Sequence, residues 1–249
     1  MHPYVTRFLV ITILAVTLLV PGMAAADPIS KTLTVQVYTV CDDFGTNCAS
    51  SGFPGDTYFA TEVNKIWAQA GIGVNFNFVQ NINSTQFSYI DDSVVGDRFN
   101  DLAASYGTHG PSSTTLDMFL VHTIVGAFGE GWVGWGGVAI GMDDVMSFNS
   151  GQGRLDTVAH ELGHNFGLFH DDSSAQYLMA SGGIRSTPLT MADIAPDGLG
   201  LDLLTAGQIT TVLQSSLLQD SKLTPEPASI VLVVMGLVMV IFMRKHGMI

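Results

Sequence analysis

The sequence has few charged residues, and basic residues are the scarcer kind. Charged side chains make up 12% of the 249 residues, with 9 lysines and arginines against 22 aspartates and glutamates, which gives a formal net charge of −13. About a quarter is usual for a soluble domain. Because binding to nucleic-acid phosphates needs a basic surface, this balance excludes a nucleic-acid partner.

Cysteine is nearly absent, since Cys41 and Cys48 are the only two. So few cysteines exclude a fold held together by many disulfides. The two lie seven positions apart, across a loop of aspartate, glycine, asparagine and serine. In an exported protein this spacing favours one local disulfide over two free thiols.

Two apolar ends account for part of the missing charge. Residues 1–26 have the features of a secretory signal peptide: Arg7, an apolar run over 8–20, and alanines at 24–26 that suit a cleavage site. Between the ends, residues 27–224 are enough for one domain with a real core and too few for two comfortable ones.

The C-terminal end has three parts in order. A Pro-Glu-Pro triplet at 225–227 precedes an uncharged apolar run over 228–243, and Arg244, Lys245 and His246 follow. The run is slightly shorter than the ~17–25 residues of a membrane-spanning helix. Its basic end is expected to stay in the cytoplasm.

These three parts resemble the PEP-CTERM sorting signal of Gram-negative bacteria. The resemblance implies that residues 225–249 hold the protein transiently in the inner membrane. It also implies that an exosortase-type enzyme then removes this tail and passes the protein to the cell surface or the extracellular matrix. An ordinary C-terminal membrane anchor is the alternative, and both interpretations place the body of the protein outside the cytoplasm.

The body alternates between strand and helix patterns. Apolar alternation or short apolar runs predict strands at 31–40, 72–79, 116–125 and 138–142, and helical spacing predicts helices at 56–70, 91–106, 155–166 and 203–218. Asp56 and Thr205 are placed to cap the first and last of these helices. The pattern predicts an α/β fold of the α+β type, with helices packed on a mixed sheet.

Residues 160–170 read HELGHNFGLFH and carry the chemistry. On a helix, His160 and His164 lie on one face, one turn apart, where two imidazoles can bind one Zn²⁺. Gly167 lets the chain leave the helix sharply, so that His170 can return as a third ligand. Glu161 can reach a metal-bound water without binding the metal. Three protein ligands with an open fourth position are typical of a catalytic zinc site.

The segment HELGHNFGLFHD resembles the metzincin zinc-protease signature, and Asn165 and Asp171 resemble the reprolysin (ADAM-type) branch. The resemblance implies a twisted mixed five-stranded sheet with packed helices, a zinc-binding helix, and a Met-turn beneath the metal, to which we assign Met179. Only nine positions separate His170 from Met179, which is closer to the matrixin branch, so the subfamily stays open.

The same resemblance places a substrate-binding edge strand at Gly134, Trp135, Gly136 and Gly137, where an extended peptide would pair with the sheet. A glycine-rich hairpin with packed tryptophans is the alternative. Four Asp-Asp pairs, at 42–43, 91–92, 143–144 and 171–172, could offer oxygens to Ca²⁺. They lack EF-hand or β-roll spacing, which favours solvated acids.

The expected function is therefore that of an exported zinc endopeptidase with one catalytic Zn²⁺. It would hydrolyse peptide bonds of protein or peptide substrates with a metal-activated water and with Glu161 as the general base. The alternative is a non-catalytic protein that binds a surface or matrix on the same fold. Retention of Glu161 together with all three histidines favours the enzyme.

Overall fold

The computed structural model describes residues 28–91, 98–107, 113–134, 136–221 and 244. The predicted signal peptide lies outside these residues, and so does the predicted sorting tail apart from Arg244. Within the described residues, we find no helix with the length and apolar character needed to cross a membrane.

The described residues form one main sheet and two short strand pairs. The strands are β1 (Lys31–Cys41), β2 (Gly52–Phe53), β3 (Asp56–Thr57), β4 (Ile72–Asn83), β5 (Tyr89–Ile90), β6 (Thr115–Val121), β7 (Thr123–Ile124), β8 (Gly129–Gly131), β9 (Gly137–Gly141) and β10 (Gln219–Asp220). The main sheet has the order β4-β1-β6-β9-β8, and all of its neighbours are parallel except β8, which runs antiparallel to β9. Two residues of β10 pair with the start of β1. The predicted mixed five-stranded sheet is confirmed, with β10 as a short addition.

Five α-helices lie in the described part of the chain: α1 (Ala60–Ala68), α2 (Arg98–Tyr106), α3 (Met142–Gly151), α4 (Thr157–Asn165) and α5 (Ala206–Val212). Short 3-10 turns occur at Thr85–Phe87 and Met191–Asp193. In α3, residues 148–150 leave helical geometry, so its last turn is irregular. The α/β class with packed helices is therefore also confirmed.

The sheet has apolar side chains on both faces, because helices cover both. On one face Leu116, Met118 and Leu120 of β6 join the core that includes Trp67 of α1 and Leu162 of α4. On the other face, alternate residues of the same strands pack with α2 in a second cluster; its aromatic members include Tyr38, Phe99 and Phe119. Double coverage explains why β6 is an almost unbroken apolar run in the sequence.

Several predicted element boundaries need correction. Helix α1 begins at Ala60 rather than at residue 56, because Asp56 and Thr57 pair with β2. The N-cap residue is Phe59 rather than the predicted Asp56, although Asp56 Oδ1 accepts hydrogen bonds from the Thr61 backbone nitrogen (3.1 Å) and hydroxyl (2.9 Å) in the first turn. The predicted strand 116–125 is interrupted at His122, and β7 pairs with β5 instead of extending β6.

The two later helices are shorter than predicted, and one helix was missed. Helix α4 spans nine residues, and α5 ends at Val212 instead of near residue 218. Thr205 caps α5 as predicted, in a reciprocal pair with Gln208. Within the described residues α2 begins at Arg98, so Asp91 lies outside this helix. Helix α3 was not predicted, because its 3.6-residue apolar pattern is weak.

Cys41 and Cys48 form a disulfide. The bond closes the loop that follows β1, and Asp42 organises the same loop by accepting hydrogen bonds from the backbone nitrogens of Phe44 and Thr46. Asp42 thus serves the loop itself. Within the described residues, the Asp-Asp pairs belong to no cluster of three or more metal-ligating side chains.

Candidate active site

Helix α4 ends in a turn that returns the chain toward His160, the first of the predicted metal ligands. Gly167 has a φ of 94°. Its backbone nitrogen donates to the His164 carbonyl (2.9 Å), and the nitrogen of Leu168 donates to the Gly163 carbonyl (3.0 Å). This is a glycine-dependent helix termination that satisfies the last carbonyls. The residues after it therefore lead back along α4 and bring His170 to the helix.

The three predicted metal ligands come together at this turn. Ligand atoms of His160, His164 and His170 all lie within 4.8 Å of one another. The Nε2 atoms of His160 and His170 are 3.3 Å apart. Two nitrogens bound tetrahedrally to one zinc at 2.0–2.1 Å would be separated by about 3.3–3.4 Å. The spacing therefore fits two ligands of one zinc ion.

Hydrogen bonds orient two of the imidazoles for metal binding. His160 Nδ1 donates to the Leu178 carbonyl (2.7 Å), and His164 Nδ1 donates to the Leu168 carbonyl (2.8 Å). These bonds fix the tautomer in which Nε2 keeps its lone pair. Burial, and after it the charge of Arg185, lowers the pKa of His160 to about 2, and burial also lowers the pKa of His164. Both rings are thus neutral at ordinary pH, as metal ligands must be.

Glu161 lies against the backbone of the edge strand β8. A Cβ added to Gly129 would lie 2.6 Å from Glu161 Cγ, and one added to Gly131 would lie 2.7 Å from the Glu161 carbonyl oxygen. Only glycine leaves room for this approach. Burial raises the pKa of Glu161 to about 8, although the charges of Arg185 and Arg154 counteract part of that rise. The carboxylate is therefore a stronger base than a solvated one.

Met179 packs beneath α4. A Cβ on Gly163 would collide with Met179 Sδ, so the thioether fills the space that this glycine leaves open. Met179 is fully buried, and its carbonyl accepts a hydrogen bond from the Asp171 nitrogen (2.8 Å). Asp172 accepts hydrogen bonds from the nitrogen (2.7 Å) and hydroxyl (2.9 Å) of Ser181. The chain just after His170 is thus held to residues 179–181.

Sequence reasoning missed a buried ionic cluster beside the histidines. Asp156 precedes α4 and lies between two guanidinium groups, 2.6 Å from Arg185 Nε and 3.3 Å from Arg154 Nε. Arg185 Nη1 also lies against His160 Nδ1 and donates to the Leu178 carbonyl (3.0 Å). The available signal for this cluster was the presence of Arg154 and Arg185 close to the motif, in a chain with so few bases.

Asn165 has a role that its position in the motif did not reveal. Its Nδ2 donates to the carbonyls of Trp132 (2.8 Å) and Gly137 (2.9 Å), which lie on the two arms of the β8–β9 hairpin. The Gly134 nitrogen donates in turn to the His164 carbonyl (2.8 Å). These bonds attach the glycine-rich hairpin to the end of α4.

The predicted substrate edge needs correction. Gly137 belongs to β9, which pairs with β6 on one side and β8 on the other, so it does not lie at an edge. Gly134 and Gly136 lie in the connection between β8 and β9, and Trp135 lies outside the described residues. The edge strand is β8, at Gly129–Gly131. A glycine-rich stretch has no side-chain alternation from which strand limits could be predicted.

A cavity of about 410 Å³ opens at the site. His160, Glu161 and His170 line it together with Arg154 and Arg185, and the rest of the lining comes from residues 126–129, 157 and 182–183. Its volume is within the usual range for small-ligand sites.

Comparison with known proteins relates this site to metallopeptidases. Residues 57–171, a little under half of the chain, match the model of Metallo-peptidase family M12B, Reprolysin-like. The matched segment contains all three histidines and Glu161, and it agrees with the resemblance to the reprolysin branch. No curated protein sequence matches the chain.

Two solved structures resemble the chain at low identity. Archaemetzincin from Methanopyrus kandleri is 13% identical with a TM-score of 0.45, and the alignment covers 79% of this chain and 98% of that one. A structure described as a chaperone-substrate complex is also 13% identical, with a TM-score of 0.43, over 76% of this chain and 34% of that one.

Proposed function

We propose that the chain is an exported zinc-dependent endopeptidase in which His160, His164 and His170 hold one Zn²⁺ and Glu161 is the general base. The observation that carries this proposal is the convergence of the three imidazoles within 4.8 Å in a cavity that Glu161 also lines. The metallopeptidase family match over the same residues supports it.

The residues present fit a zinc ion. All three ligands are imidazoles, and the backbone hydrogen bonds of His160 and His164 leave Nε2 available. When bound, zinc would activate a water and polarise the scissile carbonyl. Glu161 takes a proton from the attacking water and returns it to the leaving amine nitrogen. Its burial suits it to this exchange, because a base must hold the proton between the two steps.

The peptide is expected to lie along β8. This strand is the last in the sheet order, and an extended chain could add there as a further strand. Glu161 lies against the backbone of the same strand. A peptide paired with β8 would therefore present its backbone next to the general base.

The test separates metal binding from catalysis. Metal analysis of purified protein should give about one zinc per chain. Glu161→Ala should keep zinc and the fold while its rate of peptide cleavage falls by ~10²–10⁴-fold. His160→Ala should lose zinc and activity together, and a chelator should abolish wild-type cleavage.

Two results would contradict this proposal. Near wild-type cleavage by Glu161→Ala would assign the base elsewhere. A zinc-loaded wild type that cleaves nothing in a broad peptide library would favour the non-catalytic binding protein.

Export and tail removal are a separate part of the proposal, supported by the apolar ends of the sequence. Mass spectrometry of protein extracted from the cell surface should find no peptides beyond about Pro227. Recovery of peptides that contain Arg244 from mature protein would favour an ordinary anchor.

A further inference from the structure

A second cavity, of about 510 Å³, lies beside the catalytic cavity. The two cavities share one wall, because Gly126, Ala127 and Phe128 line both of them. These three residues lead directly into β8, the strand along which we expect the peptide to lie. Three residues span at most about 10 Å of extended chain. A peptide that leaves the catalytic cavity past this wall therefore needs only a few residues to reach the second cavity.

Much of the lining of the second cavity is aromatic or aliphatic. Tyr89 and Val125 belong to it, and they are 54% and 44% exposed although both are large and mostly apolar. Phe128 and Phe148 also line it, and their rings meet edge to face with centres 5.5 Å apart. A surface of this kind suits a long side chain with an apolar stem.

Asp144 is the one charged residue among the described residues that line this cavity. It is half-buried, and its carboxylate has no hydrogen-bond or ion-pair partner in the described part of the chain. The Ser147 hydroxyl donates to the backbone carbonyl of Asp144 (3.2 Å) and not to its carboxylate. The neighbouring acid, Asp143, differs in that its Oδ2 is hydrogen-bonded to His122 Nδ1 (2.9 Å). An unpaired carboxylate among aromatic rings is suited to a cation.

The basic residue closest to these rings has its own anion. Arg154 lies over Phe128 and Phe148, with its guanidinium carbon 4.7 and 5.5 Å from the two ring centres. It lines the catalytic cavity and not the second one, and it pairs with Asp156. The net charge of −13 attracts cationic peptides to the whole protein at long range. The charge of Asp144 is therefore available to a substrate.

We propose that the second cavity binds a lysine or arginine side chain of the substrate, a few residues from the scissile bond, and that Asp144 selects its charge. This inference rests on the proposed peptidase function and names its substrate class. The methylene stem would pack against Tyr89, Val125 and Phe148, and the cationic head would pair with the carboxylate. A methionine has a similar stem without the charge, and a glutamate would bring a like charge to Asp144.

The experiment uses zinc-loaded full-length protein and peptides based on a sequence that it cleaves in a library digest. Each position within about four residues of the cleaved bond is made lysine, methionine or glutamate in turn. At one position, wild type should prefer lysine over methionine by about 5-fold or more in kcat/KM. The preference should appear mainly in KM, because a contact away from the reacting bond is the same in the ground state and the transition state.

Two variants and a matched control test Asp144. Asp144→Asn should lower the ratio of lysine to methionine cleavage toward one, and Asp144→Lys should make glutamate the preferred residue at that position. Such an inversion cannot come from a loss of structure. Asp143→Asn is the control, because it removes the same charge from the neighbouring residue, which does not line the cavity, and it should keep the wild-type ratio.

The outcomes distinguish this inference from the function on which it rests. If wild type cleaves the lysine and methionine peptides equally well at every position, the cationic site is wrong and the peptidase stands. If zinc-loaded wild type cleaves no peptide, the peptidase proposal itself fails and this inference with it. Equal loss of the preference in Asp143→Asn and Asp144→Asn would assign it to the overall charge and overturn the role of Asp144. The wild-type ratios test the site even if a variant does not fold.

Discussion

The thioether of Met179 lies so close to Gly163 that a Cβ added there would collide with its sulfur. One residue belongs to the helix that carries two of the histidines and the other to the turn beneath it. The helix and the turn approach this closely because position 163 has no side chain. The contact between Gly163 and Met179 therefore sets the distance between α4 and the turn beneath it. It also sets the positions of His160 and His164, which α4 carries.

Gly163→Ala should push α4 away from Met179, lower the unfolding temperature and weaken zinc binding. Calorimetry and competition with a chelator measure the two effects. Gly207→Ala is the matched control, because this glycine also lies in a helix and an added Cβ would meet only Thr205 Oγ1 at 3.9 Å. That change should be neutral or stabilise by ~0.4–1 kcal/mol. Equal behaviour of the two variants would contradict the packing role of Gly163.

Asn165→Ala should release the β8–β9 hairpin from α4. It removes two hydrogen bonds to buried or part-buried carbonyls, which should cost about 2–4 kcal/mol in urea unfolding. Asn64→Ala is the control, since Asn64 of α1 donates to the Val74 carbonyl of β4 and accepts from the Val74 nitrogen, in a different part of the fold. Both variants should lose stability, but only Asn165→Ala should raise KM for peptides.

Arg185→Lys should reduce the affinity for zinc about 10-fold or more, even though the charge is kept. The guanidinium contacts Asp156 and the Leu178 carbonyl together, and an ammonium group cannot reproduce that planar arrangement. Loss of such partners typically costs 10–100-fold in affinity or activity. Zinc dissociation into a colorimetric chelator measures the effect. Wild-type affinity in this variant would limit Arg185 to a structural role.

Glu62 should make stability depend on pH. Burial, and then a hydrogen bond with Asp56, raises its pKa to about 7 in the fold. Between the ordinary carboxyl pKa and pH 7 the folded state keeps a proton that the unfolded state loses, so Glu62 lowers stability as the pH rises through this window. Glu62→Gln keeps a hydrogen-bond donor to Asp56 but has no carboxyl group to ionise. The unfolding temperature of this variant relative to wild type should therefore increase from pH 5 to pH 7.5, and a constant difference would contradict the raised pKa.

The sequence predicted best where pattern and chemistry coincide. Alternation at β1 and β4 gave the strands within a few residues, and Thr205 caps α5 as predicted. The spacing of His160, His164 and His170 brought the three residues together because it depends only on helix geometry and on one glycine. These features depend on neighbours in sequence, which is the information that a single chain contains.

The features that escaped prediction depend on contacts between distant segments. The ion pair of Asp156 with Arg185 joins residues 29 positions apart, and neither position has a local pattern. The edge strand was predicted several residues too late in the sequence, because the glycines at 129 and 131 are typical of a loop. Their strand position depends on the contact with Glu161, which is distant in sequence. The late start of helix α1 is an exception with a local cause, because Asp56 and Thr57 pair with Gly52 and Phe53 across the turn at residues 54–55.

The closeness of β8 to Glu161 also has an evolutionary consequence. A side chain at 129 would collide with the side chain of Glu161 and one at 131 with its backbone carbonyl, so neither position is expected to vary to follow a new substrate. Glu130 lies between them, and because side chains alternate along a strand a replacement there is expected to leave the packing of Glu161 unchanged, while removal of its charge would lessen the rise in the Glu161 pKa. Divergence of this edge among descendants should therefore concentrate at position 130 and in the connection that follows, and the two glycines beside it should remain.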